Sequence, residues 1–323
     1  MTRILFAQLP LVMLLGLVVA FSLASPRFFT VQNGLNVLVQ ASSGMILAAG
    51  MTWVLVTSGV DLSVGSLMFL CAAVCGKLIQ NQFSPLTAAA AALGVGPLCG
   101  LAHGLLVTRG RMSPFIVTLA SLFLLRGAGL WISRTRAMNL PDVFARLASQ
   151  TWLGIPMPVW VAAATVGSLH LLQTRTAFGR QAYAIGYDPV AARKAGVRVD
   201  RVLLGVYALS GACAAIAAMT SLAQLGAVSP TFGKDREFEA IAAAVLGGAS
   251  LFGGRGNVLP GAVTGAMLVA LVFNGLNLMN ANPYVYPLLT AGVVLLAVLF
   301  DSLRQRDRSR SMRRGIALRG GAR

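Results

Sequence analysis

The run Val202-Leu203-Leu204-Gly205-Val206-Tyr207-Ala208-Leu209-Ser210-Gly211-Ala212-Cys213-Ala214-Ala215-Ile216-Ala217-Ala218-Met219-Thr220-Ser221-Leu222-Ala223-Gln224-Leu225 contains 24 residues and not one charge. As a helix rising about 1.5 Å per residue it reaches about 36 Å, enough to cross the roughly 30 Å hydrocarbon core of a bilayer. Comparable runs stand at 4–24, 38–57, 62–80, 86–107, 114–133 and 157–174 before it, and at 238–252, 258–279 and 284–301 after it. These ten candidate spans leave no interspan segment large enough to fold alone. Composition agrees: 57% of residues are hydrophobic and 11% charged, against about a quarter charged in a soluble domain. The 35 glycines suit helices that approach closely in lipid. The reading is an all-α integral membrane protein of about ten transmembrane helices. Its transmembrane domain occupies 1–303 and a basic, disordered tail occupies 304–323.

Two runs need separate treatment. The first ends in Ser22-Leu23-Ala24, which resembles a signal-peptide cleavage site, but its length and the nine runs behind it favour a retained span. The eighth, 238–252, is short for a crossing and has Gly247, Gly248, Gly253 and Gly254 in or just beyond it. A tilted or partly re-entrant helix lining a cavity is expected there. Charge then sets the orientation. The net charge is +17, from 26 Lys and Arg against 9 Asp and Glu. With ten spans both termini share a side, which holds 18 of the basic residues against seven on the other, Arg126 lying inside a span. Excess Lys and Arg stay cytoplasmic, so both termini and the basic 175–201 loop point inward. The eight tail arginines form an anchor at the lipid surface rather than a nucleic-acid site.

Several chemistries are missing. None of Lys77, Lys194 and Lys234 has the glycine spacing and following hydroxyl of a phosphate-binding loop. His103 and His170 lie in different apolar runs with no neighbouring carboxylate or Cys, and read as hydrogen-bonded packing residues. Cys71, Cys75, Cys99 and Cys213 all lie in apolar stretches and read as small packing residues without a metal or a disulfide framework. The scarcity of ionisable groups inside the spans weighs against a stand-alone proton- or sodium-coupled carrier, which stays the alternative reading, and against a membrane-embedded transferase. Neither catalytic nor metal-binding residues are expected. A path lined by hydroxyls, amides and backbone suits a neutral polar solute, moved by an energy source outside the chain.

Four stretches are distinctive. They are Gly50-Met51-Thr52-Trp53-Val54-Leu55-Val56-Thr57-Ser58-Gly59-Val60-Asp61-Leu62-Ser63-Val64-Gly65-Ser66; Pro114-Phe115-Ile116-Val117-Thr118-Leu119 with Arg126-Gly127; Ala184-Ile185-Gly186-Tyr187-Asp188-Pro189-Val190-Ala191-Ala192-Arg193-Lys194-Ala195-Gly196-Val197; and Glu239-Ala240-Ile241-Ala242-Ala243-Ala244-Val245-Leu246-Gly247-Gly248-Ala249-Ser250-Leu251-Phe252-Gly253-Gly254-Arg255-Gly256. In this order, over about 30–303, they resemble the permease subunits of bacterial ABC monosaccharide importers, the ribose/xylose/arabinose/galactose type. Nucleoside and branched-chain amino-acid permeases share the superfamily, but Val60-Asp61-Leu62-Ser63-Val64-Gly65 looks like the sugar branch. The chain departs from the family's common pattern at Ser58-Gly59, at Glu239 and at Thr290-Ala291-Gly292. The resemblance implies a type II importer-like permease in a bacterial inner membrane, paired with an identical or homologous second permease. It also implies two cytoplasmic ATPase subunits that hold the ATP and Mg, a periplasmic sugar-binding protein, and no cofactor on this chain.

The segment around Gly186 resembles the family's coupling helix, which sits in a groove of the ATPase. Its own chemistry fits a short helix: Asp188 as N-cap, Pro189 in the first turn, Ala191, Ala192 and Ala195 as a compact face, Arg193 and Lys194 as charges, and Gly196 as terminator. Asp61 reads either as the N-cap of the third span or as part of a gate with Ser63 and Ser66. Arg126 either snorkels to the outer interface or faces the path. Asn274 and Asn277, with Asn280, either line the path or bond between helices.

Overall fold

Lipid offers a backbone no hydrogen-bond partner, so an apolar run satisfies its own amides by coiling. The computed structural model describes residues 2–282 and then 284, 285, 288, 290–292, 295, 298, 299 and 302. In chain order the helices are α1 (Thr2–Ala24), α2 (Val31–Val56), α3 (Val64–Gln80), α4 (Pro85–Thr108), α5 (Pro114–Ser133), α6 (Asp142–Ser149), α7 (Met157–Arg175), α8 (Ala177–Tyr187), α9 (Pro189–Lys194), α10 (Val199–Leu225), α11 (Arg236–Leu246) and α12 (Val263–Leu278). Among the described residues, five segments are long and apolar enough to cross a membrane: Val31–Val56, Pro85–Thr108, Pro114–Ser133, Val199–Leu225 and Val258–Leu278. Pro10–Ala24 and Val64–Gln80 are shorter apolar helices. The tenth expected span lies largely outside the described residues, and the tail wholly so.

Local chemistry starts and stops these helices. Thr30 and Ser84 accept the amides of Asn33 and Thr87 at the heads of α2 and α4, as capping hydroxyls do. Pro85, Pro114 and Pro158 sit in first turns, where a missing N–H costs nothing. α11 stops early. It covers 236–246, about 16 Å and roughly half a bilayer, because the chain turns at Gly247-Gly248, the latter at φ 100°. The expected run over 238–252 is thus a half-helix followed by a loop. A π-helical turn, Val258–Ala262, with Leu259 extended at φ −124° and ψ 128°, then leads into α12.

The all-α expectation needs one small amendment. Four strands of two residues form two antiparallel ladders: β1 (Met138–Asn139) with β4 (Ala227–Val228), and β2 (Thr151–Trp152) with β3 (Ile155–Pro156). With α6 packed on α10, they mark one end of the bundle, the ladder end; α8 and α9 mark the other. α2, α3 and α10 form the centre, where Trp53, Phe69 and Tyr207 are wholly buried. α10 packs most extensively against α4, at Gly96 and Gly211. A methyl on either would overlap the other's carbonyl, so backbone contact does the packing that apolar burial cannot do in lipid. Leu98, Phe123, Leu124 and Trp131 stay exposed on α4 and α5, an apolar surface suited to acyl chains.

Cys71, Cys75 and Cys213 are buried and all four cysteines are free. The histidines differ from expectation: Nδ1 of His103 and of His170 has no partner among the described residues. Both sit in helices whose backbone groups already bond to one another.

Candidate functional site

Towards the ladder end, α2, α10, α11 and α12, with Met68 of α3 and Thr290, Ala291, Leu295 and Val298, line an open cavity of about 1160 Å³. Gln40, Ser43, Gly44 and Leu47 of α2 line it because positions three and four apart share a helix face. Ser221 and Gln224 close the last turns of α10, and Ser229 and Thr231 come from the segment leading to α11. Gln224 Nε2 donates to Val39 O at 3.1 Å, which fixes its amide at the wall. Phe238 and Phe273 add aromatic surface. Of the charged lining residues, Arg236 Nη1 meets Glu239 Oε2 at 2.7 Å across one helical turn, and Lys234 and Asp235 precede them on the wall. Neutral amides, hydroxyls and ring faces can exchange hydrogen bonds with a polyhydroxylated solute without demanding a counter-charge.

None of the six path or gating residues anticipated from sequence lines this cavity. Asp61 is wholly buried. One oxygen accepts from Ser63 N and Oγ at 3.0 and 2.6 Å, and the other accepts from Ser210 Oγ at 2.7 Å. It is not the cap of α3, because the helix begins at Val64 with Ser63 as its flanking residue. Asp61 instead closes a turn upstream and ties it to α10. Ser66 donates to Ser63 O at 2.8 Å and is also buried. Arg126 donates from Nη1 to Phe232 O at 2.7 Å, with its guanidinium 4.9 Å from the Phe69 ring centroid. It thereby pins the cavity-lining segment before α11 to α3 and α5. Asn274 is buried and exchanges hydrogen bonds with Asn33, so it bonds between helices; Asn277 is exposed.

At the opposite end, Asp188 Oδ1 accepts the amides of Val190 and Ala191 at 2.8 and 3.0 Å, and Pro189 opens α9. Gly196 follows at φ 84°, a conformation that glycine adopts freely. The anticipated alanine face is divided: Ala192 is buried while Ala191 and Ala195 are exposed. The six-residue helix must bury one side to stay seated. Its outward side instead presents Val190 (63% exposed) beside Arg193 and Lys194, with Tyr187 (78% exposed) next to it at the end of α8. Arg193 also lies 3.6 Å from Asp200 at the head of α10, a weak exposed pair.

A model of the family described as branched-chain amino acid transport system / permease component matches residues 33–299. The chain belongs to this permease family. It is similar to the ribose import permease protein RbsC of Escherichia coli (strain K12), at 39% identity over 270 residues covering 82% of this chain and 84% of the relative. It is also similar to the fructose import permease protein FrcC of Rhizobium meliloti, at 36% identity with 82% and 76% coverage. The autoinducer 2 import system permease protein LsrD of Enterobacter sp. (strain 638) is 33% identical, with 80% and 81% coverage. No solved structure matches. The permease is a transporter subunit of an ABC importer in a membrane, not an enzyme.

Sequence reasoning missed the cavity wall of this permease. Gln40 and Gln224, long polar side chains at the ends of apolar runs, were the available signal. It also missed Ser58, Gln173 and Tyr183, whose bonds reach the glycine-rich loop 247–257. No local pattern marks those, because each partner lies more than 70 residues away.

Proposed function

We propose that this permease imports a monosaccharide or a related neutral polar solute, delivered by a periplasmic binding protein. It works beside a second, identical or homologous permease. Two cytoplasmic ATPase subunits, which carry ATP and Mg on their own chains, drive it. In this reading it crosses the inner membrane ten times with both termini and α9 in the cytoplasm, and the cavity opens towards the periplasm. The uneven distribution of Lys and Arg supports that orientation.

The observation that carries the substrate class is the import of ribose and of fructose named for two relatives that match over most of this chain. The cavity wall accommodates such a solute: Gln40, Ser43, Gln224 and Thr231 offer neutral amides and hydroxyls. Arg236 and Glu239 satisfy each other there, and Lys234 and Asp235 add one charge of each sign. A path that bound tightly would trap its solute, so scattered neutral groups suit passage.

Coupling is assigned to Gly186, Asp188, Pro189, Ala191, Ala192, Arg193 and Gly196. Asp188, Pro189 and Gly196 shape α9, Ala192 seats it, and Ala191 and Arg193 face the ATPase with Tyr187 and Val190. Asp61, Ser63, Ser66 and Arg126 are assigned to gating, through their ties to α10 and to the segment before α11. Asn274 and Asn277 hold or flank the wall formed by α12.

The test fills the cavity. Ser43→Phe should lower uptake of a labelled monosaccharide about tenfold or more, while the ATPase still co-purifies and labelled leucine is not taken up in either form. Undiminished sugar uptake, or leucine uptake that the substitution blocks, contradicts the proposal.

A further inference from the structure

Behind α9, the buried side of α7 and α8 is stitched to loop 247–257, the connection between α11 and α12. Tyr183 Oη donates to Gly256 O and lies 3.2 Å from Asn257 Oδ1. Burial raises this phenol above the usual tyrosine range, so it keeps its proton and remains a donor. Gln173, buried near the end of α7, accepts from Val258 N at 2.9 Å and donates to Gly256 O at 3.4 Å. Ser58 places Oγ 3.1 Å from both Gly186 O and Phe252 O, and Gly254 N donates to Val56 O at 2.9 Å. Gly186 packs so closely on Val56 O that an added methyl would overlap it.

The far side of the loop leads to the cavity. α11 and α12 meet backbone to backbone, Gly265 against Ala243 O and Gly247 against Gly261 O. A methyl would fit at neither contact, so the two helices move as a pair. Both line the cavity, through Phe238 and Ala243 on α11 and Val269 and Phe273 on α12. The loop is therefore the handle of one cavity wall. Its glycines offer little side-chain bulk to push against, and apolar contacts would slide. Directional hydrogen bonds to its backbone resist both push and pull.

We propose that Tyr183 and Gln173 are positioning residues for coupled import: they latch loop 247–257 to α7 and α8, so that a displacement of α9 is carried to α11 and α12 and reshapes the cavity. The proposal rests on the reading of α9 as the ATPase dock. It assigns the coupling path to a discrete, contiguous set of bonds, a claim that needs coupling evidence rather than proximity.

The test uses the complete importer, permease with its ATPase subunits, reconstituted with the binding protein and labelled sugar. Tyr183→Phe and Gln173→Met each remove polar atoms while keeping bulk. In the double variant the ATPase should co-purify as in the parent and ATP hydrolysis should stay within about twofold, while sugar moved per ATP falls about tenfold. A purely structural role would lower thermal stability and assembly and leave sugar per ATP unchanged, which overturns the proposal. An unchanged ratio in a stable, fully assembled variant overturns it too. Asp188→Ala with Arg193→Glu serves as a separate arm. If that change releases the ATPase while the latch variants keep the parent ratio, the latch alone fails. If it leaves assembly and uptake intact, the docking reading fails instead.

Discussion

Asn33 and Asn274 are 241 residues apart and bond reciprocally, Nδ2 to Oδ1 at 3.0 Å in each direction. Asn33 Nδ2 also donates to Phe28 O at 2.9 Å. Each buried amide is satisfied by the other, so removing one strands its partner at a cost of about 1–3 kcal/mol. Asn274→Leu should therefore lower the thermal midpoint of the purified permease, and Asn33→Leu in the same chain should restore much of the loss. Losses that simply add in a thermal melt would show that the pair is not coupled. A second substitution tests backbone crowding: Gly186→Ala should destabilise the junction of α8 with α2 and cut uptake severalfold, read by thermal melts beside transport. At this scale the sequence was only half legible. It showed an amide within an apolar run but not its partner on α2. It showed Asp61 beside a helix start but not Ser210, 149 residues on, through which Asp61 ties that start to α10.

Individual elements were easier to anticipate where their signals are local. Asp188-Pro189 followed by Gly196 encodes a cap, a first-turn proline and a terminator within nine residues, and α9 forms there. Asp188→Ala removes two amide bonds and should cost about 1 kcal/mol of local helix stability, seen as weaker retention of the ATPase on purification. The short run 238–252 carries its glycines in plain view, but apolarity continues past Leu246, so only the folded chain shows that the helix ends at the Gly247-Gly248 turn. Topology can be checked element by element. In a variant lacking Cys71, Cys75, Cys99 and Cys213, Ala191→Cys should resist a membrane-impermeant thiol reagent added to intact cells, whereas Arg146→Cys on α6 should react. The reverse pattern would invert the proposed orientation.

Across the whole molecule, the fold class followed from uncharged runs and low charge, because a bilayer imposes its length on every crossing helix. The cavity did not, since its wall is assembled from α2, α10, α11 and α12, and only folding brings those distant faces together. In the proposed mechanism, polar groups at that wall serve the solute while the apolar exterior of α4 and α5 faces lipid, and energy enters at the opposite end, through α9, to reach the wall by way of loop 247–257. The most direct measurement of this account is uptake into proteoliposomes containing the permease and its ATPase subunits, with the binding protein and a labelled monosaccharide outside and ATP enclosed. Accumulation should require both the binding protein and hydrolysable ATP and be insensitive to proton or sodium gradients. Accumulation driven by an ion gradient without the ATPase would contradict it.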